Sequence, residues 1–192
     1  GTYSFHYSGG ANVHACGIHQ EFNNVQPEYV SFYVRSGSTT ASDGYFSLDA
    51  GTPTNWTEAI FFFCRGTGYF YVNADVGGDE TYAYQPNAWY HIEFKNIDWT
   101  NKHFDYYVNG QLIKADIPFR NAGSANSFGV LWLYNYHSSD AWWDEIYLGP
   151  PLAQWLTVGP PTSGIVPAGS QIQIPVTINA AGFASGETHH AN

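Results

Sequence analysis

Charged residues are scarce in this chain, and positive charges are the scarcest of all. Asp, Glu, Lys and Arg make up 11% of the 192 residues, with 16 acidic residues against 6 basic ones and a formal net charge of −10. Binding to nucleic acid or to an anionic membrane surface needs clustered cations. The cations are instead scattered, at Arg35, Arg65, Lys95, Lys102, Lys114 and Arg120. This pattern excludes nucleic acids and anionic membranes as partners.

Long apolar runs are missing as well, and so is methionine. The longest apolar run covers residues 59–64, far fewer than the roughly 20 residues that cross a bilayer, so we expect no membrane insertion. No charged segment followed by an apolar one opens the chain at Gly1. We therefore expect either a secreted protein whose signal peptide has been removed or a fragment of a longer chain.

Cysteine is nearly absent, with Cys16 and Cys64 as the only two. One pairing is available to them, and it would close a loop of about 49 residues, worth roughly 4 kcal/mol in the chain-entropy model. The alternative is two buried thiols in a cytosolic protein. Low charge and abundant Tyr and Trp favour an extracellular setting, secreted or at the cell surface. The sequence therefore predicts a Cys16–Cys64 disulfide.

Aromatic residues are what the chain has in excess, with 15 Tyr, 13 Phe and 7 Trp. A disordered chain would be poor in them. Side chains alternate between apolar and polar with period two, which is typical of strands, and no segment shows a helical period. Asn109 and Gly110 suit the two positive-φ positions of a type I′ hairpin turn. Strands are predicted at 29–35, 44–49, 58–65, 69–74, 89–95, 104–108, 128–136 and 142–148.

Composition changes at residues 149–151. Beyond them aromatic residues thin out, and Gly, Pro, Ser and Ala increase. Strands are predicted at 155–158 and 172–178, the second with Pro175 at an edge or a bulge. We therefore divide the chain into a sandwich at 1–149 and a partial β segment at 150–192, which is too short for a stable independent domain.

Three segments in the first part resemble the laminin-G-like or concanavalin-A-like jelly-roll superfamily. They read WYHIEF at 89–94, YYVNGQL at 106–112 and WDEIYL at 143–148, in the order in which the family has them. The resemblance implies an all-β, antiparallel jelly-roll β-sandwich. This superfold hosts lectins, adhesion modules, carbohydrate-binding modules, glycosidases and lyases, so the resemblance leaves the function open. Residues 155–169 resemble the opening of bacterial immunoglobulin-like modules.

No catalytic constellation stands out. Asp144 and Glu145 are adjacent, and neighbours on a strand point to opposite faces, so we expect them not to share a substrate. Glycosidases of this fold carry E-x-D-x-x-E or E-x-D-x-E strands, and neither occurs here; Glu93 is followed two residues later by Lys95. No G-x-S-x-G motif or phosphate-binding loop is present. We assign no catalytic residue and keep a glycoside hydrolase or polysaccharide lyase as an alternative.

Metal binding rests on two groups of acidic residues. Asp140 and Asp144 lie near the closing strand, and Asp75, Asp79 and Glu80 crowd a Gly-rich loop, so calcium is a candidate cofactor. The competing interpretation is acids exposed to solvent in turns. A zinc site is a weaker hypothesis, because its spacing matches no common finger. Its ligands would be His14, Cys16, His19 and Cys64.

The segment from Trp132 to Trp143 offers the best candidate site. The apolar faces of sugar rings pack on aromatic rings, while Asn, Asp and His bond the hydroxyls. One of two adjacent Trp residues must point away from the core. The alternative is that these rings fill the core of the sandwich. The predicted ligand-binding residues are Trp132, Tyr134, Asn135, Tyr136, His137, Trp142 and Trp143.

These observations predict a non-catalytic extracellular module that binds carbohydrate or a glycosylated surface and belongs to a larger protein. One alternative is a structural subunit of a filament or surface layer. In that case the incomplete C-terminal segment would self-associate by strand complementation. The other alternative is a polysaccharide-active enzyme.

Overall fold

Alternating side chains along the chain produce two stacked antiparallel sheets in the computed structural model. It describes residues 3–14, 16–51, 57–73, 82–150, 156–158, 173 and 176–178. The chain divides into two compact units, Gly1–Pro151 and Leu152–Asn192. Among the residues that the structure describes, no helix is long and apolar enough to cross a membrane.

The described residues of the first unit form eleven strands in two sheets. The first sheet has the order β1-β11-β3-β7-β8-β9 and the second has the order β2-β10-β4-β5-β6. Every named pairing is antiparallel. The strands are β1 (Phe5–Gly9), β2 (Gly17–Val25), β3 (Tyr29–Ser36), β4 (Asp43–Asp49), β5 (Glu58–Arg65), β6 (Tyr69–Val72), β7 (Tyr90–Asp98), β8 (His103–Val108), β9 (Gln111–Pro118), β10 (Phe128–Tyr134) and β11 (Ser139–Gly149).

The all-β jelly-roll sandwich predicted from the sequence is therefore confirmed. The predicted strands from 29–35 to 142–148 correspond to β3–β8, β10 and β11, and Gln111 begins β9. Asn109 and Gly110 have φ values of 50° and 77°, as a type I′ turn requires. The sequence patterns missed β1 and β2. All but one residue of β2 are exposed, so the strand lacks the alternation that reveals the others.

The core lies between the sheets, and Phe is its most frequent residue type. Phe32 of β3 stacks on Phe46 of β4 with 3.9 Å between ring centroids, and Phe62 of β5 meets Phe32 edge-on at 5.3 Å. Trp143 of β11 is 1% exposed within the same cluster. Stacked and edge-on pairs of this kind add to the free energy gained by burying the rings. This cluster fixes which face of each strand points inwards.

The predicted Cys16–Cys64 disulfide is wrong, because both cysteines are free thiols. Cys64 is fully buried on the core face of β5, and a Cβ placed on Gly44 would lie 2.8 Å from its Sγ. Cys16 lies just before β2, where its carbonyl accepts a 2.6 Å hydrogen bond from the Tyr7 hydroxyl. Burial raises the pKa of the Cys64 thiol well above its ordinary value.

The second unit contributes one described strand pair. β12 (Leu156–Val158) runs antiparallel to β13 (Val176–Ile178), with Thr157 opposite Thr177. Both fall inside the stretches where the sequence predicts strands. Pro175 and residue 155 lie outside the described residues, and the immunoglobulin-like interpretation of this segment stays a prediction.

Asp43, at the start of β4, is a buried carboxylate inside the first unit. It is fully buried, and the hydroxyls of Ser139 and Ser36 are polar groups that act on its carboxylate. Burial raises its pKa to about 7, and the hydroxyls of Ser139 and Ser36 offset only part of this shift. The folded state therefore binds a proton that the unfolded state releases at lower pH.

We predict that Asp43→Asn stabilises the protein more at high pH than at low pH. Because the folded pKa lies above the unfolded one, the native protein loses stability as pH rises from about 4 to about 7. The variant removes that loss, so its gain should reach about 2–4 kcal/mol at about pH 8 and be about a third as large at about pH 5. Denaturant unfolding at the two pH values measures both. Glu28→Gln, an exposed position, serves as the control, and an Asp43→Asn effect that is equal at both pH values would contradict the prediction.

A second prediction concerns the thiols. Without reductant, a thiol-reactive reagent should label Cys16 in the native protein and both cysteines after denaturation, because only Cys64 is fully buried. Mass spectrometry counts the labels. A denatured chain that takes up label only after reduction would show that the disulfide forms after all.

Candidate functional site

The outer face of the second sheet carries a second apolar cluster, separate from the core. We call it the outer aromatic layer. It forms because β4, β5 and β10 carry large side chains at successive positions. Successive side chains of a strand point to opposite faces, so each of these strands places large side chains both in the core and on the outer face. Its buried members are Tyr45, Phe61, Val130, Trp132 and Tyr134, with Phe63 and Tyr136 partly buried against them.

Rings from four neighbouring strands stack across this layer. Tyr134 of β10 stacks on Tyr45 of β4 with centroids 4.6 Å apart, and Tyr45 stacks on Phe63 of β5 at 4.8 Å. Tyr71 of β6 continues the row at 5.6 Å from Phe63, and the Arg65 guanidinium lies 4.3 Å from the Tyr71 ring centroid. These cross-strand pairs hold the rings in fixed positions.

His14 lies against the layer from the segment that precedes β2. Its Nδ1 is 2.8 Å from the Tyr134 hydroxyl, and its ring centroid is 4.8 Å from that of Tyr136. Burial, and then the positive charge of Arg120, lower the pKa of His14 below its ordinary value. At neutral pH this histidine is therefore a neutral hydrogen-bonding group.

Arg120 places a cation beside the same layer. Its guanidinium lies 4.5 Å from the Phe61 ring centroid, and its Nη1 is 3.2 Å from Oε2 of Glu58. Burial raises the pKa of Glu58, and Arg120 counteracts only part of that rise. Nearby on β4, burial raises the pKa of Asp49 to about 7, while the Ser47 hydroxyl donates a 2.6 Å hydrogen bond to its Oδ1.

These groups surround a pocket of about 320 Å³, which we call the second-sheet pocket. Aromatic rings form its apolar wall, and hydrogen-bonding groups stand around them. The Nδ1 of His137 accepts a 2.9 Å hydrogen bond from the Ser42 backbone N–H, which fixes the position of that imidazole. The lining residues are His14, Ser42, Tyr45, Phe61, Phe63, Arg120, Tyr136 and His137.

A larger groove of about 570 Å³ lies on the outer face of the first sheet. We call it the first-sheet groove. At its side, Trp142 of β11 stands between His6 of β1, stacked at 4.6 Å, and Arg35 of β3, 4.2 Å from the indole centroid. Because β1 and β3 flank β11 on opposite sides, both faces of this indole are covered. The groove is lined by Tyr3, Ser4, Tyr33, Arg35, Trp89, Trp142, Asp144 and Glu145.

The expectation that Asp144 and Glu145 point to opposite faces is wrong. Glu145 has a φ of 47°, and the pairing of β11 with β3 shifts register between Asp144 and Tyr147. This β-bulge interrupts the alternation, so both carboxylates line the first-sheet groove. The backbone N–H of Glu145 donates a 2.8 Å hydrogen bond to Oδ1 of Asp144.

The structure separates the seven predicted ligand-binding residues. Trp132, Tyr134 and Tyr136 belong to the outer aromatic layer, and His137 lines the second-sheet pocket beside Tyr136. Trp132 and Tyr134 are themselves buried, so Tyr136 is the ring of this set that reaches the pocket. Trp142 lies on the other sheet, at the first-sheet groove.

Two of the seven are structural. Trp143 points into the core, so the prediction that it binds a ligand is wrong: its side chain lies on the inner face of the first sheet. Asn135 is buried and holds loops together: its Oδ1 accepts from the Gly44 N–H at 3.0 Å, and its Nδ2 donates to the carbonyls of Tyr7 and Ser139.

Of the eight residues that line the second-sheet pocket, the sequence analysis assigned only Tyr136 and His137 to the ligand site. The six that it did not assign are His14, Ser42, Tyr45, Phe61, Phe63 and Arg120. A usable signal existed for Phe63, because the alternation within 58–65 puts it on the face of Phe61. For His14 and Arg120, which lie outside the strands, no spacing in the sequence connects them to the sheet.

The two calcium-ligand candidates that the structure describes, Asp140 and Asp144, do not lie together. Asp140 and Asp144 are four residues apart on β11, about 13 Å along the strand. Asp140 bonds His6 at 2.9 Å, and this hydrogen bond lowers its pKa. The part of the chain that the structure describes has no group of three or more His, Cys, Asp or Glu residues arranged around a common point. The Gly-rich loop with Asp75, Asp79 and Glu80 lies outside it.

The candidate zinc ligands, all of which the structure describes, are also not brought together around one point. His14 faces the outer aromatic layer, and His19 packs on Trp132 with ring centroids 4.6 Å apart. Cys64 is enclosed in the core. His14 and His19 therefore lie on the outer side of the second sheet and Cys64 on its core side, so these three side chains do not share one ion.

Comparison with known proteins supports the fold and goes no further. No protein-family model matches the sequence, and a search of curated proteins gives no match. Among solved structures, a sialidase superposes with a TM-score of 0.54 at 11% identity over 69% of this chain, which spans 14% of the sialidase. A human galectin-16 R55N variant has a TM-score of 0.48 at 9% identity, covering 70% of this chain and 95% of the galectin. Galectin LEC-6 of Caenorhabditis elegans has a TM-score of 0.43 at 16% identity, over 73% and 96%.

Proposed function

We propose that the first unit is a non-catalytic carbohydrate-binding module of an extracellular protein and that it binds sugar at the second-sheet pocket. The observation that carries the proposal is the composition of this pocket. It joins partly buried rings of Phe63 and Tyr136 to the hydrogen-bonding groups of His14, Ser42 and His137. The fold hosts binding modules and enzymes alike, so the residues of the site must decide between them.

A sugar ring matches this pocket in two ways. Its apolar C–H face can pack on the exposed parts of Phe63 and Tyr136, which the row of stacked rings holds in place. Its hydroxyls can bond to His14, which is neutral at physiological pH because its pKa is lowered, and to His137. Rigid rings and positioned polar groups reduce the entropy lost on binding.

The second-sheet pocket fits a sugar better than the first-sheet groove does. Both faces of the Trp142 indole are covered, so this ring cannot stack on a sugar. A sugar in the groove would have to pack on other rings, such as the exposed Trp89. Arg35 already lies on Trp142, and Asp144 and Glu145 place two carboxylates together there. The second-sheet pocket has aromatic walls without any carboxylate among its lining residues.

We expect Tyr136→Ala and Phe63→Ala to weaken glycan binding at least about tenfold, because each removes one aromatic wall of the pocket. A glycan array and pull-down with insoluble polysaccharides, each with and without calcium, find the ligand. Isothermal titration calorimetry then measures the affinities of the variants.

Trp89→Ala, which removes an exposed ring from the first-sheet groove, is the matched control and should bind like the parent. Thermal unfolding checks that all three variants fold. If Trp89→Ala abolishes binding and Tyr136→Ala preserves it, the site lies in the first-sheet groove and the proposal fails. Absence of binding at millimolar glycan under both calcium conditions would also refute it.

A polysaccharide-active enzyme is the second candidate, favoured by one observation. The bulge at Glu145 brings it and Asp144 to one groove, and glycoside hydrolysis uses two carboxylates that flank one bond. We expect no release of reducing ends or unsaturated sugars from polysaccharides that the protein binds. Turnover that Asp144→Asn or Glu145→Gln abolishes would replace the binding-module proposal with an enzyme.

A further inference from the structure

β2 is an edge strand that lacks the usual protection against pairing with another strand. Within the part of the chain that the structure describes, it pairs only with β10, and eight of its nine residues are exposed. Natural edge strands are commonly protected by Lys, Pro or short length. The sequence GIHQEFNNV of β2 contains no Lys, Arg or Pro and a single acidic residue.

The side chains of β2 complement a second copy of the same strand. With a two-fold axis at Gln20, antiparallel pairing puts His19 of each copy opposite Glu21 of the other, and Ile18 opposite Phe22. His19 and Glu21 already lie side by side, with Nε2 and Oε1 3.6 Å apart. The pairing would therefore alternate two imidazoles and two carboxylates on one face and join two apolar pairs on the other.

The neighbouring registers do not fit. A two-fold axis perpendicular to the sheet leaves each side chain on its own face of the sheet. The axis must therefore pass through a residue rather than between two residues, and the alternative registers differ from this one by whole residues. An axis at His19 sets each His19 opposite its own copy, and an axis at Glu21 sets two carboxylates opposite each other. Directly opposed like charges destabilise a strand pair.

We propose that β2 is a homodimer interface, in which two copies of this chain join their second sheets into one continuous antiparallel sheet with the axis at Gln20. The occupant is a second copy because the strand is complementary to itself: an imidazole falls opposite a carboxylate twice, and Ile18 falls opposite Phe22 twice. The exposed Ile18 becomes covered in this arrangement.

The test is a charge swap measured by sedimentation and light scattering on the full chain. The parent should form dimers in the micromolar range. His19→Glu puts like charges opposite each other twice per dimer and should weaken dimerisation about tenfold. Adding Glu21→Lys to His19→Glu restores opposite charges and should return the dimer to parent strength.

Gln111→Glu is the control, because it adds the same charge on β9, an edge strand of the other sheet, and should leave the dimer unchanged. A monomeric parent throughout the micromolar range overturns the proposal. So does a dimer that survives His19→Glu, since this would place the interface elsewhere, such as the C-terminal segment. Failure of the double variant to recover, in a protein that folds like the parent, would show that His19 acts through its packing on Trp132 rather than through charge.

Discussion

The second sheet carries large side chains on both of its faces, and much of the structure follows from the need to cover them. Leu131 and Leu133 of β10 point into the core, while Trp132 and Tyr134 point the other way and are buried too. A strand in an ordinary antiparallel sandwich leaves its outer face to water. Here the outer face is an apolar layer in its own right, and His14 is hydrogen-bonded to it from a loop.

This second layer also explains why Asp49 is a buried carboxylate on β4. Ser47 and Asp49 alternate with Phe46 and Leu48, so they point to the outer face. Both are buried there, instead of facing water. A carboxylate in such a place raises its pKa rather than stay charged, and Asp49 does so. Covering the aromatic rings thus costs stability at neutral and higher pH, because Asp49 must then ionise in a buried site.

The sequence was sufficient for the strands that alternate and for the turn at Asn109 and Gly110, because both depend on local geometry. It was insufficient where a β-bulge interrupts the alternation of side chains along a strand. Nothing in the residue types at 144–147 indicates the bulge that turns Asp144 and Glu145 to one side. The alternation of apolar and polar residues also shows which residues of a strand share a face, but it does not show which of the two sheets the strand belongs to. For that reason the predicted aromatic set divides between two sheets, with Trp142 on β11 far from the layer that holds Tyr136.

A dimer through β2 is compatible with the second-sheet pocket on topological grounds. In the order β2-β10-β4-β5-β6, extension beyond β2 adds strands on the side away from β5, which supplies Phe61 and Phe63 to the pocket. A two-fold axis perpendicular to the sheet keeps both outer aromatic layers on one surface of the joined sheet. Two pockets would then face the same way. A polymeric glycan displayed on a surface could engage both at once, and the second contact would gain from the high local concentration that the first creates. A weak individual site is therefore consistent with firm attachment, provided that the chain is paired.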